Sequence, residues 1–236
     1  MKKKVSASRL VTVVYVVLKI LLALLFLFIL LALFCSCVGI SMDITIRADG
    51  SGTTALEYRV SRMAETLGRL DGNERWNTVP VGRADFERTM ARLPGLRLSS
   101  FSSSDNGTDL VTRAEISYKN IDDLLAFLEP SQSGSRATFV RENGVNTLNL
   151  ILSDAYRQLD ADLLLLAADA FSGYTLNFSL SVPGFATLAL TDAAGNKIDV
   201  PPGSIRIIPQ GKKVSVTMEM AELFKFPNGL GLKFIW

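Results

Sequence analysis

The stretch MDITIRADGSGTTALEYRV, residues 42–60, decides how this chain is expected to fold. Apolar and polar residues alternate on both sides of Asp49-Gly50. A period of two predicts strands with one apolar face, and a glycine after aspartate supplies the positive φ that a tight hairpin turn needs. The stretch therefore predicts an antiparallel β-hairpin with one face toward a core.

The same unit recurs further along the chain. Residues 96–118 alternate around Asp105-Asn106-Gly107, and residues 136–152 alternate around Asn143-Gly144. Apolar residues at helical spacing lie between or after the hairpins, over residues 63–70, 86–93, 121–128 and 153–170. Hairpins that alternate with helices predict the α+β class, an antiparallel sheet built from repeated β-hairpin–helix units with the helices on one face.

Strand patterns dominate the C-terminal part. Residues 175–181 alternate cleanly, and the segments beyond Pro183-Gly184 are short, alternating and separated by Gly- and Pro-containing turns. We expect a main domain of residues 37–182 and a β-rich C-terminal appendage of residues 183–236, either packed against the main sheet or standing as a subdomain.

The N-terminus has the pattern of an export signal. Three lysines at residues 2–4 precede an uninterrupted apolar run, residues 20–34, and two cysteines follow. A basic start, an apolar core and a small residue before the cut are typical of signal peptides. Ser36 is small, so Cys37 is predicted to be the acylated first residue of a mature lipoprotein and residues 1–36 its signal peptide. Cys35 is the poorer candidate because the bulky Phe34 precedes it.

An uncleaved membrane anchor is the alternative. Residues 10–34 are long enough to cross a bilayer, which needs about 20 apolar residues. Lys19 lies within this run, and a lysine at the centre of a membrane helix costs roughly 2.5–3.5 kcal/mol. Both interpretations place the rest of the chain outside the cytoplasm, on the periplasmic face or the surface of a bacterial cell.

Charge and residue types restrict the chemistry. Five of the 25 Lys and Arg precede Cys37 and none of the 23 Asp and Glu does, so the remainder is mildly acidic and offers no footprint for nucleic acid. The chain has no histidine, which excludes Ser-His-Asp and Cys-His catalysis and imidazole metal sites. No catalytic residue, cofactor or metal ligand is predicted, and the chain is expected not to be an enzyme.

The predicted sheet allows two kinds of binding surface. Its polar face can stay open to water, as antiparallel sheets permit. Alternatively, the sheet can curl and enclose an apolar pocket against the last helix. The candidate pocket residues are Leu148, Leu150, Leu176 and Phe178.

These features together resemble the LppM-type domain of bacterial lipoproteins. The resemblance rests on Cys37, the strand Met42–Ile46, the turn Ala48–Gly52, Leu93-Pro94-Gly95-Leu96 and the segment Ile116–Leu125. It implies a membrane-tethered cell-envelope domain of α+β fold that can hold lipids or glycolipids, with no catalytic residue to transfer. Members that end in a transmembrane helix differ from this chain, so anchoring is expected to depend on Cys37.

Two functions therefore compete. The first is a lipid or glycolipid binding module tethered by acyl chains to the membrane. The second is a structural or protein-interaction lipoprotein of adhesin type, with a filled core and an unknown protein partner. An apolar pocket that no side chain fills would favour the first, and a solid core would favour the second.

Overall fold

A computed structural model describes residues 38–61, 82–107, 109–129, 136–153, 165, 168, 171–226 and 228–236. Eleven strands, two α-helices and one 3₁₀ helix have described bounds. They are β1 Val38–Ile46, β2 Gly52–Ser61, α1 Arg83–Arg92, β3 Leu96–Asp105, β4 Asp109–Tyr118, α2 Ile121–Leu128, β5 Arg136–Glu142, β6 Val145–Ser153, β7 Thr175–Ser181, β8 Thr187–Thr191, β9 Ile205–Gln210, β10 Lys213–Glu219, the 3₁₀ helix Met220–Lys225 and β11 Leu230–Ile235.

The larger sheet has seven strands in the order β3-β4-β2-β1-β7-β10-β9. Its hairpins β1–β2 and β3–β4 are antiparallel, as the local turn signals predict. The central pair β1–β7 is parallel, with Ile44 opposite Leu180. Two segments more than a hundred residues apart thus meet at the middle of the sheet.

The smaller sheet has four strands in the order β5-β6-β11-β8. Its hairpin β5–β6 turns at Asn143-Gly144, where φ is +51° and +80°. Both residues are left-handed, the backbone that this two-residue turn requires and that Asn and Gly adopt most readily. The prediction of a hairpin at this position is confirmed.

The predicted fold class is wrong. The described chain is predominantly β and has two sheets, where repeated hairpin–helix units around one antiparallel sheet were expected. The C-terminal strands are not an appended tail, because β9 and β10 complete the larger sheet and β11 lies between β6 and β8. Residues 38–236 accordingly form one compact unit. Local periodicity predicts hairpins but carries no information about which distant strand lies beside them.

The two sheets bury a common core. The rings of Phe178 on β7 and Phe234 on β11 have centroids 5.4 Å apart, so the inner faces of the sheets meet there. Phe234 and its neighbour Leu148 on β6 are fully buried. Each such side chain contributes roughly 1.5–3 kcal/mol by leaving water.

The described helices support the β3–β4 end of the larger sheet. Phe86 of α1 is fully buried and contacts Phe101 of β3, with ring centroids 5.6 Å apart. At the start of α2, the side chain of Asn120 caps the helix by accepting a hydrogen bond from the backbone N–H of Asp123. The predicted helices 63–70 and 153–170 lie outside the described residues, apart from Leu165 and Ala168, which are helical, and Ser153, which ends β6.

Candidate functional site

The side of the larger sheet that faces away from the core is polar, and we call it the outer face. Cross-strand pairing arranges its side chains in rows that run across the strands. One row contains Ser179, Asp43, Ala55 and Glu115, and the next contains Asn177, Ser41, Glu57 and Arg113. These side chains are half-buried or exposed.

A shallow depression of about 330 Å³ lies on the outer face, over β2. Ala55 is one of the residues that line it, and its methyl group is the smallest side chain of its row, between Asp43 and Glu115. Longer side chains rise on both sides of this methyl group. The residues that line the depression are Ser41, Asp43, Ala55, Leu56, Glu57, Ser100, Arg113, Ala114 and Glu115.

Ion pairs hold the charged walls of the depression. Arg113 Nε donates to Glu57 Oε2 at 2.7 Å, and Lys213 Nζ donates to Asp43 Oδ2 at 2.6 Å. The Arg113 side chain remains 53% exposed and that of Asp43 41%. Pairs this exposed add at most about 1 kcal/mol to stability. Their effect on the site is to restrict the rotamers of the groups that a partner would meet.

A ladder of neutral groups continues the outer face toward β10. Thr217 Oγ1 donates to Asn177 Oδ1 at 2.9 Å, and the hydroxyls of Ser179 and Ser215 are 2.9 Å apart. A hydroxyl can both donate and accept, and an amide carries two donors besides its oxygen. The ladder therefore presents further hydrogen-bonding groups beside the charged depression.

The predicted pocket residues lie together in the core. Leu148 on β6 and Leu176 and Phe178 on β7 are buried, as is Leu150 on β6. Phe178 packs against Phe234, and Leu148 and Leu150 lie beside Phe234 and Leu232. All four residues belong to the buried core, where Phe178 packs against Phe234.

The remaining predicted site residue, Cys37, lies outside the described residues. In the part of the chain that the structure describes, no helix is long and apolar enough to span a bilayer. Likewise, no cluster of three or more His, Cys, Asp or Glu within the described ranges is placed to hold a metal ion.

Sequence reasoning found part of the outer face. The alternation of polar and apolar residues along β4 and β7 is enough to place Arg113, Glu115 and Asn177 on the polar side of a sheet, where the structure has them. It did not single out Ala55 or Asp43, because a depression depends on which residues of neighbouring strands stand side by side. A small residue between charged ones on predicted neighbouring strands is the signal that would have indicated it.

The fold and this face define the class of the molecule as a two-sheet β domain with an open polar sheet surface. No protein-family model matches the chain. No curated protein sequence matches it either. Among solved structures, it is similar to the folded domain of the Mycobacterium tuberculosis LppM protein, determined by NMR, with a TM-score of 0.38 and 14% identity over 78% of this chain and 90% of that one. That neighbour is from the family that the sequence resembles, but a TM-score this low supports no transfer of fold family or function.

Proposed function

We propose that this chain is a membrane-tethered, non-catalytic interaction module of the bacterial cell envelope that binds a protein partner through the outer face. The observation that carries the proposal is the depression over Ala55, bounded by the ion-paired Glu57–Arg113 and Asp43–Lys213. Restricted charged side chains around a recess can fix the register of a partner, because a shift that brings like charges together costs several kcal/mol.

The chemistry of the depression indicates the kind of partner. The exposed Arg113 guanidinium has donors suited to a carboxylate, and the exposed Glu115 carboxylate accepts from a lysine or arginine. A partner surface with charged residues of both signs and one small group that enters the recess over Ala55 would complement it. Interfaces of this polar kind are typical of reversible association.

Binding of a lipid or glycolipid inside the domain is less well supported. That hypothesis places an acyl chain among Leu148, Leu150, Leu176 and Phe178, and these side chains are buried in the core. It stays a prediction with its own test, native mass spectrometry of the protein purified from a lipid-rich host. A lipid mass that remains bound to the domain would support it.

The tether is the second part of the proposal. It follows from the sequence of residues 1–37, in which a basic start and an apolar run lead to Cys37. Acyl chains on Cys37 would hold the domain at the periplasmic face or cell surface, since two or more acyl chains are enough for stable anchoring.

The experiment that tests binding uses a photoreactive benzophenone residue at Ser100, an exposed position that lines the depression. We expect a discrete crosslinked protein in cells that make the full chain. Ala55→Trp should fill the recess and reduce that adduct at least tenfold. Ala189→Trp is the matched control, because Ala189 lies in the smaller sheet beside Lys233, away from the outer face.

Equal loss of the adduct in both variants would reject the outer face as the site, as would the absence of any discrete adduct. A double charge exchange, Glu57→Arg with Arg113→Glu, adds a second measurement. It retains an ion pair at 57 and 113 but reverses the charges that the partner meets, so it should weaken the adduct while thermal stability stays within a few degrees.

A further inference from the structure

Two aromatic side chains stack at one end of the domain. The rings of Phe171 and Phe224 have centroids 5.6 Å apart and planes inclined by 29°. Phe171 is 40% exposed, and Phe224 is half-buried. Phe171 thus keeps part of its ring surface exposed while it stacks on Phe224. We call Phe171 and Phe224 the aromatic pair.

The position of the aromatic pair follows from the strands beside it. Phe224 belongs to the 3₁₀ helix that directly follows β10, and Phe171 lies four residues before β7. Glu219 at the end of β10 is paired with Thr175 at the start of β7. The backbone N–H of Met220 donates to the carbonyl of Tyr174 at 2.8 Å. The pair therefore lies at the end of the larger sheet where β7 begins.

The chain enters the domain at this same end. β1 is parallel to β7, and its first residue, Val38, is paired with Thr175. The next residue, Gly39, is so close to the opposite segments that a Cβ there would lie 2.6 Å from Met220 Sδ and 2.8 Å from Tyr174 Cβ. Gly39 thus lies against Tyr174 and Met220. Phe171 is three residues before Tyr174, and Phe224 is four residues after Met220.

The connection to the proposed membrane tether is short. Cys37 is two residues before Gly39, and two residues of chain span at most roughly 7 Å. If the apolar run that ends at Phe34 is the anchor, five residues intervene, or at most about 18 Å. With either tether, the start of β1 would be attached within about 18 Å of the membrane anchor.

We propose that the aromatic pair inserts into the interfacial layer of the membrane to which the chain is tethered. This contact orients the larger sheet so that the end where β1 starts faces the bilayer. The inference rests on the proposed membrane tether, and it adds an orientation and a lipid contact that the tether alone does not provide. Phenylalanine is among the apolar residues that segments lying in the membrane interface bury at the boundary between headgroups and acyl chains. The depression over Ala55 would then stand roughly 13 Å above this end, since Asp43 is four residues beyond Gly39 along β1.

The charges around the aromatic pair indicate that apolar burial drives the contact. Lys225 is 67% exposed and is paired with Glu222 at 2.6 Å, and Glu219 is exposed nearby. These three groups carry one more negative than positive charge. Anionic lipid therefore should not strengthen the contact, and zwitterionic phosphatidylcholine should be sufficient.

The test places a benzophenone residue at Phe171 in the full chain, purified from bacterial membranes and reconstituted into phosphatidylcholine vesicles. The matched control is the same substitution at Phe185, which is 70% exposed. Next to Phe185, Ala186 bonds to the β9–β10 turn at Gly211, at the opposite end of β10 from Glu219. After irradiation, we expect at least ten times more lipid adduct, measured by intact-protein mass, at position 171 than at position 185.

Each outcome bears on a different claim. Equal adduct at the two positions, or none at 171 in a vesicle-bound protein, would overturn the aromatic pair as the contact while leaving the tether intact. A chain that does not sediment with vesicles at all would overturn both. An increase of adduct in vesicles with one quarter phosphatidylglycerol would contradict the apolar mechanism. The Ser100 adduct reports on partner binding separately.

Discussion

The phenol of Tyr118 on β4 donates a hydrogen bond to the backbone carbonyl of Thr45 on β1, 2.7 Å away, and reaches it over the intervening strand β2. The residue of β2 in its path is Gly52, which is paired with Tyr118 on one side and with Ile46 on the other. A Cβ at Gly52 would collide with the Thr45 carbonyl and the Tyr118 ring. The hydrogen bond from Tyr118 to Thr45 therefore depends on the absence of a side chain at position 52.

Gly52→Ala should destabilise the domain by about 2–4 kcal/mol, because either the strand or the phenol must move. Gly184→Ala is the control, since the nearest atom to its Cβ would be in the Trp236 ring at 3.9 Å and the change should be nearly neutral. Urea unfolding measures both. Equal stability of the two variants would contradict the close approach.

Stability should fall as the pH rises above about 10. Burial raises the pKa of the Tyr58 and Tyr118 hydroxyls in the folded state, whereas in the unfolded chain they ionise near about 10. Above that pH the unfolded state binds fewer protons than the folded state, so the free energy of unfolding decreases until the folded pKa is reached. Urea unfolding between pH 8 and 11 should show a steeper loss for the wild type than for the variant with Phe at 58 and 118.

Thr54→Val should leave the domain as stable as the wild type or stabilise it by about 1 kcal/mol. Thr54 is fully buried between Ile44 and Ile116, and its hydroxyl has no hydrogen-bond partner among the described residues. Removal of an unpaired buried hydroxyl without a change of shape relieves its desolvation cost. Thr53→Val on the outer face is the comparison, and thermal unfolding gives both values. A marked loss in Thr54→Val alone would show that the hydroxyl is satisfied.

Phe178→Ala should cost about 3–5 kcal/mol, because it leaves a cavity against Phe234 in a packed core. Phe185→Ala should change stability by no more than about 0.5 kcal/mol, as expected for an exposed side chain. If Phe178 instead lined a lipid pocket, its truncation would change the bound lipid more than the stability. Native mass spectrometry beside urea unfolding separates the two.

Cys37→Ala should release the protein from membranes or leave the precursor uncleaved, because the thiol is the predicted site of acylation. Cys35→Ala should have almost no effect. Membrane fractionation and intact mass measure both variants. Equal behaviour of the two would reject Cys37 as the lipidation site.

The predictions that succeeded concern interactions close in sequence. Asn143 and Gly144 specify their turn because few other residues adopt left-handed backbone without strain. The cap of α2 is equally local, since the acceptor of Asn120 lies three residues from the donor. The same short range explains the turn at Asp49, where hydrogen bonds from Ser51 hold the pKa of the carboxyl below its usual range.

The candidate site shows why the depression on the outer face could not be predicted from the sequence. Alternation shows that Asp43, Ala55 and Glu115 face the same way as their polar neighbours, but the depression exists because strand register places these three in one row. A shift of one residue would turn Ala55 toward the core.

Residue order alone thus established the hairpins, the polar and apolar faces of each strand, and the basic and apolar N-terminus that predicts a membrane tether. Long-range pairing established everything else: the parallel contact of β1 with β7, the insertion of β11 beside β6, and the packing of Phe178 on Phe234 where a pocket was one of two possibilities. The physical reason is that apolar periodicity records which side of a strand leaves water. It does not record which distant strand covers that side, or whether the space between them is filled.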